Sequence, residues 1–241
     1  MNDLSPLIPL DEWNRYREFI DAAERRNLLC LVGGGLAFSA YSDRLRDTKD
    51  VDFHVLHKEL DGLKRVLGEL GFKDYFEVEE YDRSWIYRAY RGDTIIDLIW
   101  SLPNHRLQVD PSWFHRGEQA CLHDKTVRLM PAEELIKTKL YVLQRDRSDW
   151  PDVLNIVHRY ATNLDWDHLL QIIDRDARLL GALLNTYAWL CQGQVDTIPE
   201  HIWTATGVIA PRRAPCEDRA HVLDTRDWFG PGYTDRSQFK H

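Results

Sequence analysis

The chain has 241 residues, of which 44% are hydrophobic and 29% charged, and its formal net charge is −8. That length allows one large domain or two small ones with enough chain for a real core, while the acid excess excludes a broad nucleic-acid-binding face, which would be basic. No apolar run approaches the ~20 residues of a membrane helix, and no membrane partner is expected. The polar, acidic N-terminus does not read as a signal peptide. Cys30, Cys121, Cys191 and Cys216 have no zinc spacing, so reduced thiols in a cytoplasmic protein are expected.

Residues 9–27 read as a helix, with Trp13, Tyr16, Phe19 and Ile20 at helical spacing and charged residues on the other side. Residues 28–32 (LLCLV) form a short apolar strand that stops at Gly33, Gly34 and Gly35. Without a Cβ, those glycines permit a tight turn and a close approach to a ligand. A helix starting at residues 36–41 would aim free N–H groups at the turn, a natural seat for phosphate. The connector 43–49 carries Arg44, Arg46 and Lys49, cations of a kind that clamp phosphate. Residues 50–55 alternate polar and apolar, which puts Asp50, Asp52 and His54 on one strand face and Val51, Phe53 and Val55 on the other. Carboxylates two apart on a strand, about 7 Å at the backbone, can converge on a hard cation such as Mg²⁺. Histidine suits Mg²⁺ poorly, so His54 is expected as a neighbour of the site rather than a ligand.

Residues 57–70 form an amphipathic helix closed by Gly71 at its C′ position. Residues 84–100 read as a hairpin turning at Gly92-Asp93. Its return strand, TIIDLIW, carries one acid, Asp97, among apolar residues. Burying a lone carboxylate costs several kcal/mol unless it is paired or bound to metal. Residues 102–123 look irregular, and 125–129 form a last short strand. A helix follows from Pro131, which fits position N1. It carries Lys137 and Lys139, which point in different directions because they are two apart. Further helices are expected over 153–160, 165–173 and 174–191, with Asp165 and Asp174 as N-caps. Residues 210–241, rich in Pro, Gly, Arg and Asp, form an irregular tail.

Gly34-Gly35, followed by Arg46-x-Thr48-x-Asp50-x-Asp52, resembles the signature of the DNA polymerase beta superfamily of nucleotidyltransferases. More narrowly, GGLA followed by RxTxDxD resembles small bacterial nucleotidyltransferase-like proteins that include abortive-infection and toxin–antitoxin toxins. A second stretch, PAEELIKTKL with Arg147, Asp149 and Asp152 beyond it, is similar to the helix and acid-rich connector of related proteins and matches Lys139 to the patterned lysine, with Lys137 its rival. The likeness spans roughly residues 28–157. It departs from the family at Leu36, where many members carry Ser or Thr, so phosphate contacts would come from backbone N–H groups or another side chain.

The resemblance implies an α/β (α+β) fold: a mixed twisted sheet with flanking helices over residues 1–130, a helical region over 131–209 and the tail over 210–241. It also implies Mg²⁺-dependent transfer of a nucleotide from an NTP to a hydroxyl acceptor, whether RNA, protein or a small molecule. Asp50, Asp52 and Asp97 would be the catalytic metal ligands, with Asp97 matching the third acid on the strand beside the DxD strand. Asp97 would serve as general base if only one metal is present. Gly34, Gly35, Arg46, Thr48 and Lys139 would bind the nucleotide. A toxin role would bring a cognate antitoxin protein as partner. A Mg²⁺-dependent nuclease and a non-enzymatic nucleotide- or partner-binding module of the same fold are the alternatives.

Overall fold

The alternation of apolar residues in the strand segments decides which face of the sheet each helix covers. The structure, a computed structural model, describes residues 2–44, 50–215, 217, 219–224 and 228–229. They fall into two compact units, one of residues 2–40 and 50–131 and the other of 41–44 and 132–229. In chain order, the elements up to residue 131 are β1 (Asn2–Asp3), α1 (Leu10–Glu24), β2 (Leu31–Val32), α2 (Gly34–Ser42), β3 (Val51–His54), α3 (Leu60–Glu69), β4 (Lys73–Asp74), β5 (Ile86–Arg91), β6 (Thr94–Ile99), α4 (Trp113–Arg116), β7 (Gln119–Leu122) and β8 (Lys125–Arg128).

Five strands make a mixed sheet in the order β2-β3-β6-β5-β4. The β3–β6 pair is parallel and the other neighbours are antiparallel. Three more strands form a small sheet, β1-β7-β8, which a parallel bridge between Val32 and Leu129 joins to β2. The hairpin of β5 and β6 turns at Gly92, whose φ of +60° is the left-handed conformation that a two-residue turn requires. Helices α1 and α3 cover one face of the large sheet. Phe19 packs edge-on against Phe53, the Lys64 ammonium sits over the Tyr87 ring, and Arg91 reaches Glu18. Registers then assign the rest: Val51, Phe53, Ile96, Leu98, Tyr87 and Ala89 face these helices, while Asp52, Asp97 and Arg88 face the other way.

The structure corrects the reading of 102–123 as irregular, because α4 and β7 lie within it. The β7–β8 hairpin escaped notice because its turn uses His123 at φ +52° where a glycine would have marked it.

The other unit is helical: α5 (Ala132–Leu140), α6 (Trp150–Tyr160), α7 (Trp166–Ile173), α8 (Ala177–Leu190), α9 (Glu200–Ala205) and α10 (Ala220–Leu223). The Asp165 side chain caps α7 by accepting the His168 N–H at 2.9 Å. Asp174 does not cap a helix. It ends α7 at φ +52°, and a 3-10 turn over Asp174–Asp176 displaces the start of α8 beyond its reach. Helix α5 is buried on nearly every side, its charged residues included, and those are held by partners. Glu133 accepts the Asp165 N–H at 2.8 Å, and Glu134 bonds His168 at 2.9 Å.

Cys30, Cys121 and Cys191 are free thiols; Cys216 lies outside the described residues. Among the described residues no helix is long and apolar enough to cross a membrane.

Candidate active site

Strand β3 enters the site from the bend at Asp50 and presents Asp52 on the face away from α1 and α3. Its parallel neighbour β6 sets Asp97 directly beside Asp52, and the antiparallel β5 sets Arg88 directly beside Asp97. Three charged side chains thus form one row across three central strands, at the spacing where cross-strand neighbours touch.

Asp97 is 2% exposed. Arg88 grips it with both arms: Nε donates to Oδ1 at 2.8 Å and Nη2 donates to Oδ2 at 2.6 Å. This paired fork is the strongest ordinary carboxylate contact and answers the need that an apolar strand creates for a partner at this acid. Burial pushes the Asp97 pKa above the ordinary carboxylate value, the Arg88 contacts pull against that rise, and the charge of Asp50 adds to it. The Arg88 pKa is raised first by its hydrogen bonds to Asp97, against the opposing effect of burial, and further by the charges of Asp97, Asp50 and Asp52. The two aspartates of the DxD segment are therefore close enough to act on the same guanidinium.

Arg88 is also fixed from its own strand side. Its backbone N–H donates to the Tyr81 hydroxyl at 2.8 Å, and its guanidinium lies over the Tyr75 ring at 5.6 Å.

The glycine turn closes the other side of Asp52. Gly33 donates its N–H to the Asp52 carbonyl at 2.8 Å. At Gly34 the backbone has φ +53°, and a Cβ there would come within 1.7 Å of Asp52 Oδ2. A Cβ on Gly33 would come within 2.3 Å of His54 Nδ1. The first two glycines are thus explained by the side chains of β3 packed against them. Helix α2 begins at Gly34, so Gly34 and Gly35 both sit in its first turn, where N–H groups lack intrahelical acceptors. His54 is 5% exposed beside Trp113, its Nδ1 has no hydrogen-bond partner, and burial lowers its pKa to about 4. It is a neutral wall of the site.

Arg46 and Thr48 lie outside the described residues. In the helical unit, Lys139 donates to Asp152 at 2.6 Å and to Asp149 at 3.3 Å, while Lys137 donates to the Ile172 carbonyl. Arg147 donates to both oxygens of Asp149 at 3.1 Å. The spacing of the PAEELIKTKL stretch and its acidic connector brings Lys139, Asp149 and Asp152 together in a buried ion-pair cluster.

The donor set of Asp50 and Asp52 is carboxylate oxygen, the chemistry a Mg²⁺ ion takes, and the missing side chain of Gly34 lets Asp52 Oδ2 lie against the glycine turn. Two carboxylates with substrate oxygens fit such an ion. Among the described residues no group of three His, Cys, Asp or Glu is arranged to hold a metal by itself; Asp97 meets a guanidinium instead.

Arg88 is the residue of this site that the sequence reading missed. Its signal was present in the hairpin. A two-residue Gly92-Asp93 turn pairs Arg91 with Thr94, and stepping back along both strands pairs Arg88 with Asp97.

No family model matches the chain, and no curated protein matches it. Its fold is similar to that of solved structures. One is the antibiotic-resistance factor ANT(2'')-Ia, with 20% identity over 76% of this chain and 96% of that one at a TM-score of 0.49. Another is an antigenic nucleotidyltransferase-like protein from Paracoccidioides brasiliensis, with 17% identity over 82% of this chain and 99% of that one at a TM-score of 0.46. A third is JHP933 from Helicobacter pylori, with 12% identity over 90% of this chain and 96% of that one at a TM-score of 0.42.

Proposed function

We propose that the chain is a Mg²⁺-dependent nucleotidyltransferase that moves NMP from an NTP to a hydroxyl acceptor. The observation that carries this reading is the row Asp52–Asp97–Arg88 across β3, β6 and β5, with Gly34 bare against the Asp52 carboxylate. Asp50 and Asp52 would hold a Mg²⁺ ion, which when bound neutralises charge on the phosphate oxygens. The first turn of α2, at Gly34 and Gly35, offers N–H groups to the phosphates. An acceptor hydroxyl oxygen attacks the α-phosphorus in line, the bond to the bridging oxygen breaks, and pyrophosphate leaves. The hydroxyl proton passes to Asp97. A carboxylate has about four acceptor positions, of which Arg88 uses two, and burial strengthens its hold on a proton. Positioning and electrostatics of this kind carry most phosphoryl-type catalysis. A toxin role with a cognate antitoxin protein is supported by the sequence resemblance over residues 34–52.

The test is incubation with α-labelled NTPs and Mg²⁺. The expected result is pyrophosphate release and labelled acceptor, both abolished by Asp52→Asn. Cleavage of nucleic acid without NTP, abolished by the same substitution, would reassign the protein as a nuclease.

A further inference from the structure

We propose that Arg88 is a built-in second cation of the acidic site, so that the site takes one divalent ion, on Asp50 and Asp52, and has no room for a second on Asp97. This rests on the reading of Asp50 and Asp52 as metal ligands and goes beyond it in fixing how many ions they share with Asp97. Asp97 directly beside Asp52, with Asp50 at the head of the same strand, would ordinarily call for more positive charge than one ion supplies, because like charges held together repel. Here that charge comes from the protein. Arg88 takes both oxygens of Asp97 in a planar fork, the geometry that a guanidinium matches and a point charge does not.

The guanidinium is not a loose surface cation that an incoming ion would sweep aside. The Tyr81 hydroxyl fixes its backbone, the Tyr75 ring lies beneath it, and the β5–β6 register places it opposite Asp97 whatever the side chain does. Displacing it would strand a side chain two-thirds buried beside an apolar strand. A divalent ion on Asp97 would have to take the acceptor positions that Arg88 leaves, at roughly 2.0–2.1 Å for Mg²⁺, on oxygens already shared with two guanidinium nitrogens, where two cations at such short range repel. A fixed cation also costs no reorganisation when the triphosphate arrives. Arg88 is therefore a positioning residue toward Asp97.

Mn²⁺ binding, counted from the loss of the free-ion electron paramagnetic resonance signal on titration, tests this without any nucleotide or turnover. The wild-type chain is expected to bind one Mn²⁺, lost in Asp52→Asn. Arg88→Met is expected to bind two. Arg88→Gln, which keeps an N–H donor for Asp97 and so protects the fold, is expected to bind two as well, and it decides the matter if Arg88→Met does not fold. Two ions on the wild type, or one on a folded neutral Arg88 variant, would overturn the proposal and leave the nucleotidyltransferase reading standing. No Mn²⁺ on the wild type would overturn the proposal, and the labelled-NTP assay then decides the nucleotidyltransferase reading.

Discussion

Gly34 and Asp52 share one space: the hydrogen that Gly34 carries in place of a side chain points at Asp52 Oδ2, and a Cβ would come within 1.7 Å of it. Alanine at position 34 must therefore do two things. It adopts a φ of +53°, at roughly 1–2 kcal/mol for an L-residue in the left-handed region, and it pushes the carboxylate out of place. Gly34→Ala is expected to lose Mg²⁺-dependent stabilisation by NTP in a thermal melt as well as stability. Gly92→Ala is the control. Its φ is +60° but nothing lies within 4 Å of its Cβ, so it should show only the same strain, roughly 1–2 kcal/mol, and retain the ligand response. Equal ligand responses in the two variants would dissociate the glycine turn from the site.

His54 gives the fold a pH dependence with a definite sign. Its ordinary pKa is 6.5, and burial without a partner at Nδ1 lowers it to about 4. Between those values the unfolded chain holds more protons than the folded one, so stability is full above pH 6.5 and falls as pH drops toward 4. The complete shift corresponds to about 3 kcal/mol. Denaturant unfolding at pH 7 and pH 4.5 measures it. His54→Phe, which keeps a ring against Trp113, should flatten the difference; an unchanged slope would move its origin elsewhere.

Lys139 tests the ion-pair cluster of the helical unit. Its ammonium is nearly buried between Asp149 and Asp152, which are themselves little exposed. Lys139→Met removes the charge but keeps the chain length, and it leaves two carboxylates facing each other in a poorly solvated place. Breaking a buried pair by removing one partner costs about 3–5 kcal/mol. Arg147, whose side chain is 63% exposed, contacts the same Asp149, yet Arg147→Ala should cost less than about 1 kcal/mol. Chemical denaturation of the two variants separates a buried network from a surface one. A small effect at Lys139 would show that the aspartates find water.

What could be read from the sequence followed periodicity and punctuation. The alternation around Asp52 fixed its face, Gly92-Asp93 located the hairpin that carries Asp97, and an acid alone among apolar residues announced a need for a partner. The identity of that partner was not drawn out, because Arg88 sits on a half-exposed strand where arginine is unremarkable and only the hairpin register gives it meaning. The glycines were expected to make room for a ligand, yet Gly33 and Gly34 first make room for His54 and Asp52, a tertiary contact that local sequence does not contain. The spacing also left Lys137 as the rival of Lys139; within the helical unit Lys139 pairs with Asp149 and Asp152, while Lys137 donates to the Ile172 carbonyl.

Asp97 anchors Arg88, and the proposed mechanism gives it a second role as proton acceptor; one substitution probes both. Asp97→Asn keeps the size and one acceptor oxygen but loses the charge that holds the fork. Arg88 is about one-third exposed, so solvent screens part of the loss, and a cost of roughly 1–3 kcal/mol is expected, below that of a fully buried pair. The effect on rate should be larger: removal of a general base typically lowers turnover by about 10²–10⁴-fold. With NTP saturating, the decrease should fall on kcat rather than on KM, because in the proposed mechanism Asp97 would take the acceptor proton while Asp50 and Asp52 would still hold the ion. Pairing Asp97→Asn with Arg88→Met distinguishes the roles further. The double variant no longer strands a cation beside an apolar strand and should recover part of the stability, measured by denaturant unfolding, while turnover stays low. Recovery of turnover along with stability would show that Asp97 serves the fold and that another group takes the proton.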